Sequence, residues 1–453
     1  MSRLDLCKYA VDIAIKAGAK EAEALVAGGR TIGAKIERGE IKSSRDVMDV
    51  GIAVRSILDG KIGFAYTNVL DREEAEKTAI QAVKASKASK KDKNWKQLPK
   101  GERYPHVEKT YDKRILEFTS DEAVALCQRM MAAAVQVDKR VLPASGGAEV
   151  SIIETACVNS QGVEVEDKGT TIVCFLAAMA RSATQVSPMC YEFKPSRTYE
   201  INPEWVGQEA AKLAAESLNV GKAQAGKFPI LLDQIALQSV LTATFVQSVR
   251  GDIVSRGRSV FEGKVGENVA GENISIYDDG TLAGGLNSGK TDMEGVPKQK
   301  TALIEKGVLR GFLYDNYWAG VEGKKSTGNA GRGGGGLMLP RYGTTPVINP
   351  SNVKLQPGTA SEDELVKEVG DGYYVRMVQG AHQSNPETGE FSVALAPAWR
   401  IENGEIKHAV KGVMIAGNAY QMLNKISVLG KEARQVGSLI APKIIISELN
   451  VVT

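Results

Sequence analysis

The sequence predicts a mixed α+β fold, with N-terminal α/β layers on a mostly antiparallel sheet and a mainly β C-terminal domain, barrel-like or layered, that has one helix near its start. In the first half, helical apolar periodicity alternates with short strands that end at turn residues. After Gly226 glycine becomes dense, and after Gly251 helix signals become rare while short strands recur between turns such as DDG, EKG and ENG. These changes divide the chain into an N-terminal α/β domain (1–105), a central α/β domain continuous with it (106–222) and a β-rich C-terminal domain (223–453).

Composition places the chain among ordinary globular proteins. It has 453 residues, of which 43% are hydrophobic and 25% charged, with a net charge of +3. A nearly neutral charge gives little electrostatic reason to expect direct contact with nucleic acid or an anionic membrane. The N-terminal segment spaces charges among its apolar residues, and no apolar run reaches the roughly 18 residues that a membrane span needs. We therefore expect a cytoplasmic protein without a membrane partner.

The first half alternates helices with groups of strands. Asp71 begins a helix with acidic residues in its first turn, and the pair Gly28 and Gly29 is interpreted as a break between strands. The lysine-rich stretch 84–103 has one aromatic residue and is interpreted as a solvated linker. The predicted helices are 4–18, 71–85, 120–135 and 203–218, and the predicted strands are 22–27, 31–36, 49–55, 61–66, 149–159, 162–168 and 170–181.

The stretch 228–266 is the most informative. Residues 228–232 form a short apolar strand, and Asp233 can cap a helix that continues to residue 250, before Gly251. A charged loop with Asp252 and Arg256 follows, and the glycine-punctuated segment SVFEGKVGE comes after it.

These motifs resemble a known family. The order of strand, helix, GDIVSRG and SVFEGKVGE is similar to the core of the TldD/PmbA family, also called modulator of DNA gyrase. The resemblance extends over the whole chain through IYDDGTLAG (276–284), STGNAGR (326–332), NPETGEF (385–391) and IAGN (415–418). No single motif is decisive, but their order and spacing make the match specific.

The resemblance implies a lost catalytic site. Catalytic members of this family are zinc proteases with an H-E-x-x-x-H helix and a cysteine near the C-terminus. In this sequence Thr242, Ala243 and Gln247 stand at the three helix positions, and Leu429 stands at the cysteine position. Zinc needs imidazole, thiolate or carboxylate donors, and hydrolysis also needs a base. The resemblance therefore implies a TldE-type pseudoenzyme subunit with no catalytic residues, no metal and no cofactor.

The resemblance also implies partners. We expect a dimer with a TldD-like zinc protease subunit or with a second copy, and an unfolded peptide as substrate. Asp252, Arg256, Asn329 and Arg332 are candidates for contacting the peptide or partner. Two alternatives stay open: a self-sufficient hydrolase that uses Asp252 or Gln247 with donors from the substrate, and a regulator that binds DNA gyrase or nucleic acid.

Other patterns are explained without chemistry. GGLNSGKT (284–291) satisfies the phosphate-loop pattern G-x-x-x-x-G-K-[ST], but Gly295 and Pro297 stand where the required helix would run. The glycine run 333–336 predicts a flexible or hinge-like loop. The acidic residues Asp278, Asp279, Asp292 and Glu294 are expected to cap turns, and the five cysteines to be reduced core thiols.

Overall fold

The computed structural model describes residues 1–333 and 339–453. The predicted glycine-rich hinge therefore lies mostly outside the described residues. The helices of the described part are α1 Arg3–Lys16, α2 Arg72–Ala88, α3 Ser120–Val137, α4 Pro203–Glu216, α5 Gln234–Ala243, α6 Phe245–Ser248, α7 Gly251–Val254, α8 Asn316–Val321, α9 Glu362–Val369 and α10 Ala419–Asn424, with short 3-10 turns at Lys113–Glu117 and Ala381–Gln383.

The strands fall into a first group before residue 200 and a second group after it. The first group is β1 Glu21–Glu37, β2 Glu40–Leu58, β3 Lys61–Thr67, β4 Val141–Asn159, β5 Glu164–Ala180 and β6 Cys190–Ser196. The second group is β7 Gly226–Leu232, β8 Ile276–Asp279, β9 Lys300–Glu305, β10 Val308–Leu309, β11 Ala330–Gly331, β12 Val347–Ile348, β13 Val353–Leu355, β14 Gly372–Val375, β15 Val378–Gln379, β16 Glu390–Leu395, β17 Ala398–Glu402, β18 Glu405–Ala409, β19 Met414–Asn418, β20 Ile426–Val436 and β21 Leu439–Val452.

The first group forms one antiparallel sheet in the order β3-β2-β1-β4-β5-β6. Alternate residues of β1 pack under helices, with Ala22, Ala24 and Val26 beneath α1 and α2. Further along β1, Ile32, Ala34 and Ile36 pack in the core that contains α3 and α4. Because side chains alternate across a strand, the period of two gives this sheet one helix-covered face and one face turned toward the C-terminal half.

The pair Gly28 and Gly29 continues a strand instead of ending one. The predicted strands 22–27 and 31–36 are both parts of β1, and that part of the prediction was wrong. A Cβ on Gly28 would lie 2.1 Å from the carbonyl oxygen of Asp49, so a residue without a side chain permits the close approach of β2. Pairing with β2 on one side and β4 on the other holds the strand through both glycines.

Thirteen strands of the second group form a mixed sheet, in which β21 pairs with β7, β13, β19 and β20, whereas β11 and β12 pair with each other in a separate sheet. Within residues 1–333 and 339–453 no sheet closes into a barrel, so the layered form of the predicted α+β fold is the one observed. Three short helices, α8 to α10, were not predicted, although the Ser361/Glu364 capping box of α9 is visible in the sequence. None of the described helices is long and apolar enough to cross a bilayer.

Candidate functional site

The predicted helix 233–250 is present in two pieces, α5 and α6, and Gly251, which was predicted to end it, begins the separate short helix α7. Asp233 caps α5 as expected, accepting a hydrogen bond from the Ile235 amide at 3.1 Å. The helix ends at Ala243, because Thr244 adopts φ −121° and ψ −85°. The Thr244 hydroxyl donates to the Val240 carbonyl at 2.7 Å, a local bond that competes with helical pairing. The break therefore falls between the two predicted site positions Thr242 and Ala243 and the third, Gln247.

A hydrogen-bond network occupies these positions. The Gln247 side-chain amide donates to the Thr242 carbonyl at 3.2 Å, which replaces a bond lost at the break. Gln238 donates to the Thr242 hydroxyl at 3.2 Å, and Arg250 donates to the Gln247 side-chain oxygen at 2.9 Å. Arg250 also binds both carboxylate oxygens of Asp252 at 3.0 Å. These polar side chains therefore hydrogen-bond to one another. Arg250, which was not predicted as a site residue, is part of the network.

Leu429 lies on β20, against which α5 packs, and only 8% of it is exposed. Its methyl groups offer no lone pair to a metal. Threonine and glutamine oxygens are weak zinc donors and alanine supplies none, so these four side chains do not fit zinc. Among the described residues, no group of three or more histidine, cysteine or acidic side chains is placed to hold a metal ion. All five cysteines are buried and unpaired, as expected.

The candidate peptide-contacting residues separate into three places. Asp252 is buried beside Arg250 in the network just described. Arg256 is exposed, and its guanidinium lies 4.9 Å from the centre of the Trp318 ring. Asn329 and Arg332 are nearly fully buried and border one cavity.

That cavity, of about 480 Å³, lies between the open face of the first sheet and loops of the C-terminal half. The Asn329 amide donates to Asp278 Oδ2 at 2.7 Å and to the Asn349 carbonyl at 3.1 Å. Arg332 donates to the Thr344 carbonyl at 3.0 Å and pairs with Glu23. The wall of the cavity includes residues of the first sheet and of the C-terminal loops, among them Ile153, Thr155, Phe193, Asn287, Met293 and Ser438.

The loop that carries the phosphate-loop pattern presents hydrogen-bond acceptors, whereas a phosphate site presents donors. The carbonyls of Gly285, Leu286 and Ser288 accept hydrogen bonds from Arg197 Nη1 at 3.2, 3.0 and 3.1 Å. A phosphate site needs converging N–H groups and a following helix. In this loop, carbonyl oxygens point toward a cation, and the residues that follow form turns and not a helix. The loop thus binds an internal guanidinium, and burial lowers the pKa of Arg197 to about 10.

A chain of buried charges joins the first sheet to the C-terminal half. Glu23 and Arg55 lie opposite each other on β1 and β2. Arg55 Nη2 donates to Glu23 and to Glu294, at 2.7 Å in each case, and Glu23 also accepts from Arg332. The four side chains are at most 5% exposed. No local sequence pattern indicates these ion pairs, because their members lie up to 309 positions apart.

Asp278 should make stability depend on pH. It accepts from the Ser351 amide at 2.8 Å and from Asn329, and burial raises the pKa of its carboxyl to about 6. The folded state thus retains this proton to higher pH than the unfolded chain, whose aspartates titrate near ~3.9. The resulting stabilisation is complete below that value and is lost as the pH rises through about 6.

The expected contribution is about 2–3 kcal/mol between pH 4 and pH 7. Urea unfolding of Asp278→Asn should show a smaller fall in stability over this interval than the unmodified chain. Asp279→Asn is the matched control, because Asp279 caps a turn through the Thr281 amide at 2.9 Å. Identical pH profiles for Asp278→Asn and the unmodified chain would contradict the expectation.

Comparison with family models matches three consecutive parts of the chain. Residues 22–86 match PmbA/TldA metallopeptidase domain 1, and residues 113–218 match the PmbA/TldA metallopeptidase central domain. Residues 225–453 match the PmbA/TldA metallopeptidase C-terminal domain. The last match alone covers more than half of the chain and contains α5, β20 and all four substituted positions.

Whole-chain relatives agree. An uncharacterized protein of Methanocaldococcus jannaschii is 33% identical over 95% of this chain and 97% of its own. The crystal structure of TldE from Thermococcus kodakarensis is 28% identical, with a TM-score of 0.91 over 99% of this chain and 100% of that one. A proposed modulator of a DNA gyrase from Thermotoga maritima is also 28% identical, with a TM-score of 0.88 and full coverage of both chains.

Proposed function

The chain belongs to the TldD/PmbA family of metalloprotease-related proteins, and from this we propose that it is the non-catalytic, TldE-type subunit of a peptidase. In this proposal it pairs with a TldD-like zinc protease subunit, and together they degrade unfolded peptides. The proposed setting is the cytoplasm, which agrees with five buried, unpaired cysteines.

The observation that carries the proposal is the chemistry at four positions. Thr242, Ala243, Gln247 and Leu429 supply neither a zinc ligand set nor a general base. Cleaving a peptide bond requires an attacking group, either a metal-activated water or an activated side chain. The hydrogen bonds from Gln247 and Gln238 to Thr242 further support a structural role for this helix.

The cavity beside Asn329 and Arg332 supports a role in shaping a peptide cleft. Both side chains are anchored inside the protein, so they can fix the cavity wall without moving when a peptide enters. Asp252 and Arg256 remain proposed contacts for the peptide or the protease subunit, and Arg256 is the exposed one of the two. An extended peptide held through its backbone would explain how unfolded substrates of varied sequence are accepted.

Regulation of DNA gyrase is a second candidate, favoured by the description of the Thermotoga maritima relative. A net charge of +3 gives little support for direct binding to nucleic acid. Titration against double-stranded DNA at several salt concentrations separates the candidates. Salt-dependent binding would favour the regulator, and its absence would favour the peptidase subunit.

We expect the purified chain to retain no stoichiometric zinc after dialysis against a weak chelator and to leave unstructured peptides intact. Added to a TldD-like subunit, it should raise the rate of peptide cleavage, and a strong chelator should abolish that activity. Gln247→Ala should change the rate of the mixture little, because Gln247 performs no chemistry in this proposal.

Restoring histidine at 242 and 247, glutamate at 243 and cysteine at 429 is the demanding control. We expect weak zinc binding at most, because the helix break at Thr244 separates the two histidine positions and the four substitutions do not restore the hydrogen bonds that orient zinc ligands. Chelator-resistant cleavage by the isolated chain, tightly retained zinc, or loss of the mixture's activity in Gln247→Ala would each refute the assignment.

A further inference from the structure

The lysine-rich segment after α2 crosses one end of the first sheet. The stretch 84–103, interpreted from the sequence as a solvated linker, continues α2 and then packs against the fold. Leu98 is 0% exposed, and its amide donates to a carboxylate oxygen of Glu21 at 2.7 Å. The amide of Asp92 donates to the Gly60 carbonyl at 2.9 Å. The backbone of this segment is therefore fixed on the sheet, and the lysines that it carries have a defined arrangement.

Lysines from three other parts of the first domain meet this segment. Lys61 and Lys91 form an isolated antiparallel bridge. The ammonium of Lys61 donates to the Lys87 carbonyl at 3.4 Å, and the ammonium of Lys87 donates to the Ala17 carbonyl at 3.4 Å. All members of this lysine surface are exposed except Lys61, which is half-buried. They are Lys20, Lys61, Lys87, Lys91, Lys93 and Lys96.

The lysine surface is not neutralised within the chain. Among residues 1–333 and 339–453, none of its six lysines forms an ion pair, whereas the exposed Lys77 binds two glutamates. A groove of about 440 Å³ on this surface is lined by four of the lysines and by the carboxylates of Glu21, Asp59 and Asp92. Six ammonium groups against three carboxylates leave a positive excess as large as the net charge of the whole chain, +3. Like charges held side by side repel one another, and an anionic ligand relieves that repulsion.

The chemistry of the surface favours carboxylates over nucleic acid. All six cations are lysines, which act as point charges, whereas arginine makes the paired hydrogen bonds typical of phosphate recognition. Single-stranded nucleic acids also stack their bases on aromatic rings. Trp95 is the aromatic residue of the stretch 84–103, and its ring lies 5.5 Å from the Arg55 guanidinium and 6.4 Å from the Tyr317 ring. This ring is engaged inside the protein, so the segment offers bases no platform.

The lysine surface adjoins a residue already proposed to contact a peptide. The side-chain amide of Asn316, the first residue of α8, donates to the Gln97 carbonyl at 2.7 Å. Trp318 of the same helix carries the guanidinium of the exposed Arg256 at 4.9 Å from its ring centre. A polypeptide bound on the lysine surface can therefore continue along α8 to Arg256.

We propose that the lysine surface binds an acidic, unstructured segment of a polypeptide, whose glutamate and aspartate carboxylates contact the ammonium groups. In an extended segment, side chains on one face repeat about every 7 Å, so several carboxylates can reach lysines on a fixed backbone at once. Identifying this segment as part of a peptide substrate rests on the proposed function. The binding itself does not rest on it, because it needs neither zinc nor a protease subunit.

Binding is measured on the isolated full chain by fluorescence anisotropy. The probe is a labelled peptide of about twelve residues in which glutamate and serine alternate, and the reference peptide has glutamine in place of glutamate. At about 50 mM salt the glutamate peptide should bind about tenfold or more tightly than the reference. At about 500 mM salt most of this difference should disappear, because exposed charges are then screened.

Charge reversal locates the binding surface. Lys91→Glu combined with Lys93→Glu should weaken binding of the glutamate peptide about tenfold or more. Lys139→Glu combined with Lys367→Glu is the matched control, because it changes the net charge equally at two exposed lysines outside the surface. Among the described residues, none of these four side chains forms an ion pair, so the fold should tolerate both double variants. A carbodiimide, which joins carboxylates directly to amines, should attach the glutamate peptide to lysines of the surface, as read by mass spectrometry.

The outcomes separate this proposal from its alternatives. Equal affinity for the two peptides, equal losses in the two double variants, or attachment spread evenly over exposed lysines would overturn it. A labelled single-stranded oligonucleotide with the same number of charges should bind more weakly than the glutamate peptide, and tighter binding would assign the surface to nucleic acid instead. These measurements contain no protease subunit, so their failure is distinct from a failure of the proposed function, which is measured as cleavage by the mixture.

Discussion

Replacing Arg55 by methionine is expected to lower the free energy of unfolding by about 3–5 kcal/mol. Arg55 is 5% exposed and lies between two carboxylates, Glu23 and Glu294, that are 1% and 0% exposed. Methionine approximates the volume of the removed side chain but leaves Glu294 without a cation. Removing one partner of a buried ion pair costs more than the pair contributes, because a desolvated charge is left behind.

Urea unfolding at neutral pH measures this loss. Arg129→Met is the matched control, since Arg129 and Glu204 form an exposed ion pair whose removal should cost at most ~1 kcal/mol. A loss no larger than that of the control would show that the buried ion pairs of Arg55 do not stabilise the fold as described.

Replacing Arg197 by methionine is expected to cost about 3 kcal/mol or more. Arg197 is 6% exposed, and among the residues that the structure describes it has no carboxylate in hydrogen-bond contact. Its guanidinium donates to five backbone carbonyls, of which Thr170 lies at 2.7 Å and Thr110 at 2.6 Å. Without these donors, several carbonyls in and around the loop 285–288 lose a partner in a poorly hydrated place.

Hydrogen exchange should locate the effect. Amides of the loop 284–291 should lose protection in Arg197→Met more than amides of α1, which is remote in the fold. Arg197→Lys should recover part of the stability, because an ammonium retains the charge but reaches fewer carbonyls. Arg140→Met, at an exposed ion pair with Asp138, is the control for loss of a surface arginine. Stability and exchange equal to that control would contradict the role of Arg197.

Local sequence signals predicted the four helices before residue 220, but they divided β1 and β5 into two strands each and missed β6. Caps at Asp71 and Asp233 begin helices as expected, because a cap depends only on residues within one turn. The break at Thr244 was missed, since threonine in mid-helix is common and the outcome depends on what competes for its hydroxyl. The strand break predicted at Gly28 and Gly29 was wrong for a related reason. Whether a glycine forms a turn or allows close approach of another strand depends on the adjacent strand.

The residues of the candidate site were also predicted in part and missed in part. Asn329 and Arg332 were selected as contacts for a peptide, and both prove to be hydrogen-bonded inside the protein at the border of a cavity. Arg197 was not selected, although it organises the loop that carries the phosphate-loop pattern. Its five partners lie 27 to 91 positions away, which leaves no local signature for the sequence to display.

The sequence by itself determined the fold class and the donor chemistry. Period-two alternation and caps are local properties, and the absence of histidine, glutamate and cysteine at positions 242, 243, 247 and 429 is a covalent fact that no folding can change. Tertiary structure alone decided where charges are paired and which strand edge is left open. Glu23 meets Arg332 across 309 positions, and none of the described residues pairs with residues 43–51 on the outer edge of β2, because β3 ends at Thr67. Such contacts depend on the arrangement of the whole chain, because burial and pairing energies arise only when remote segments exclude water together.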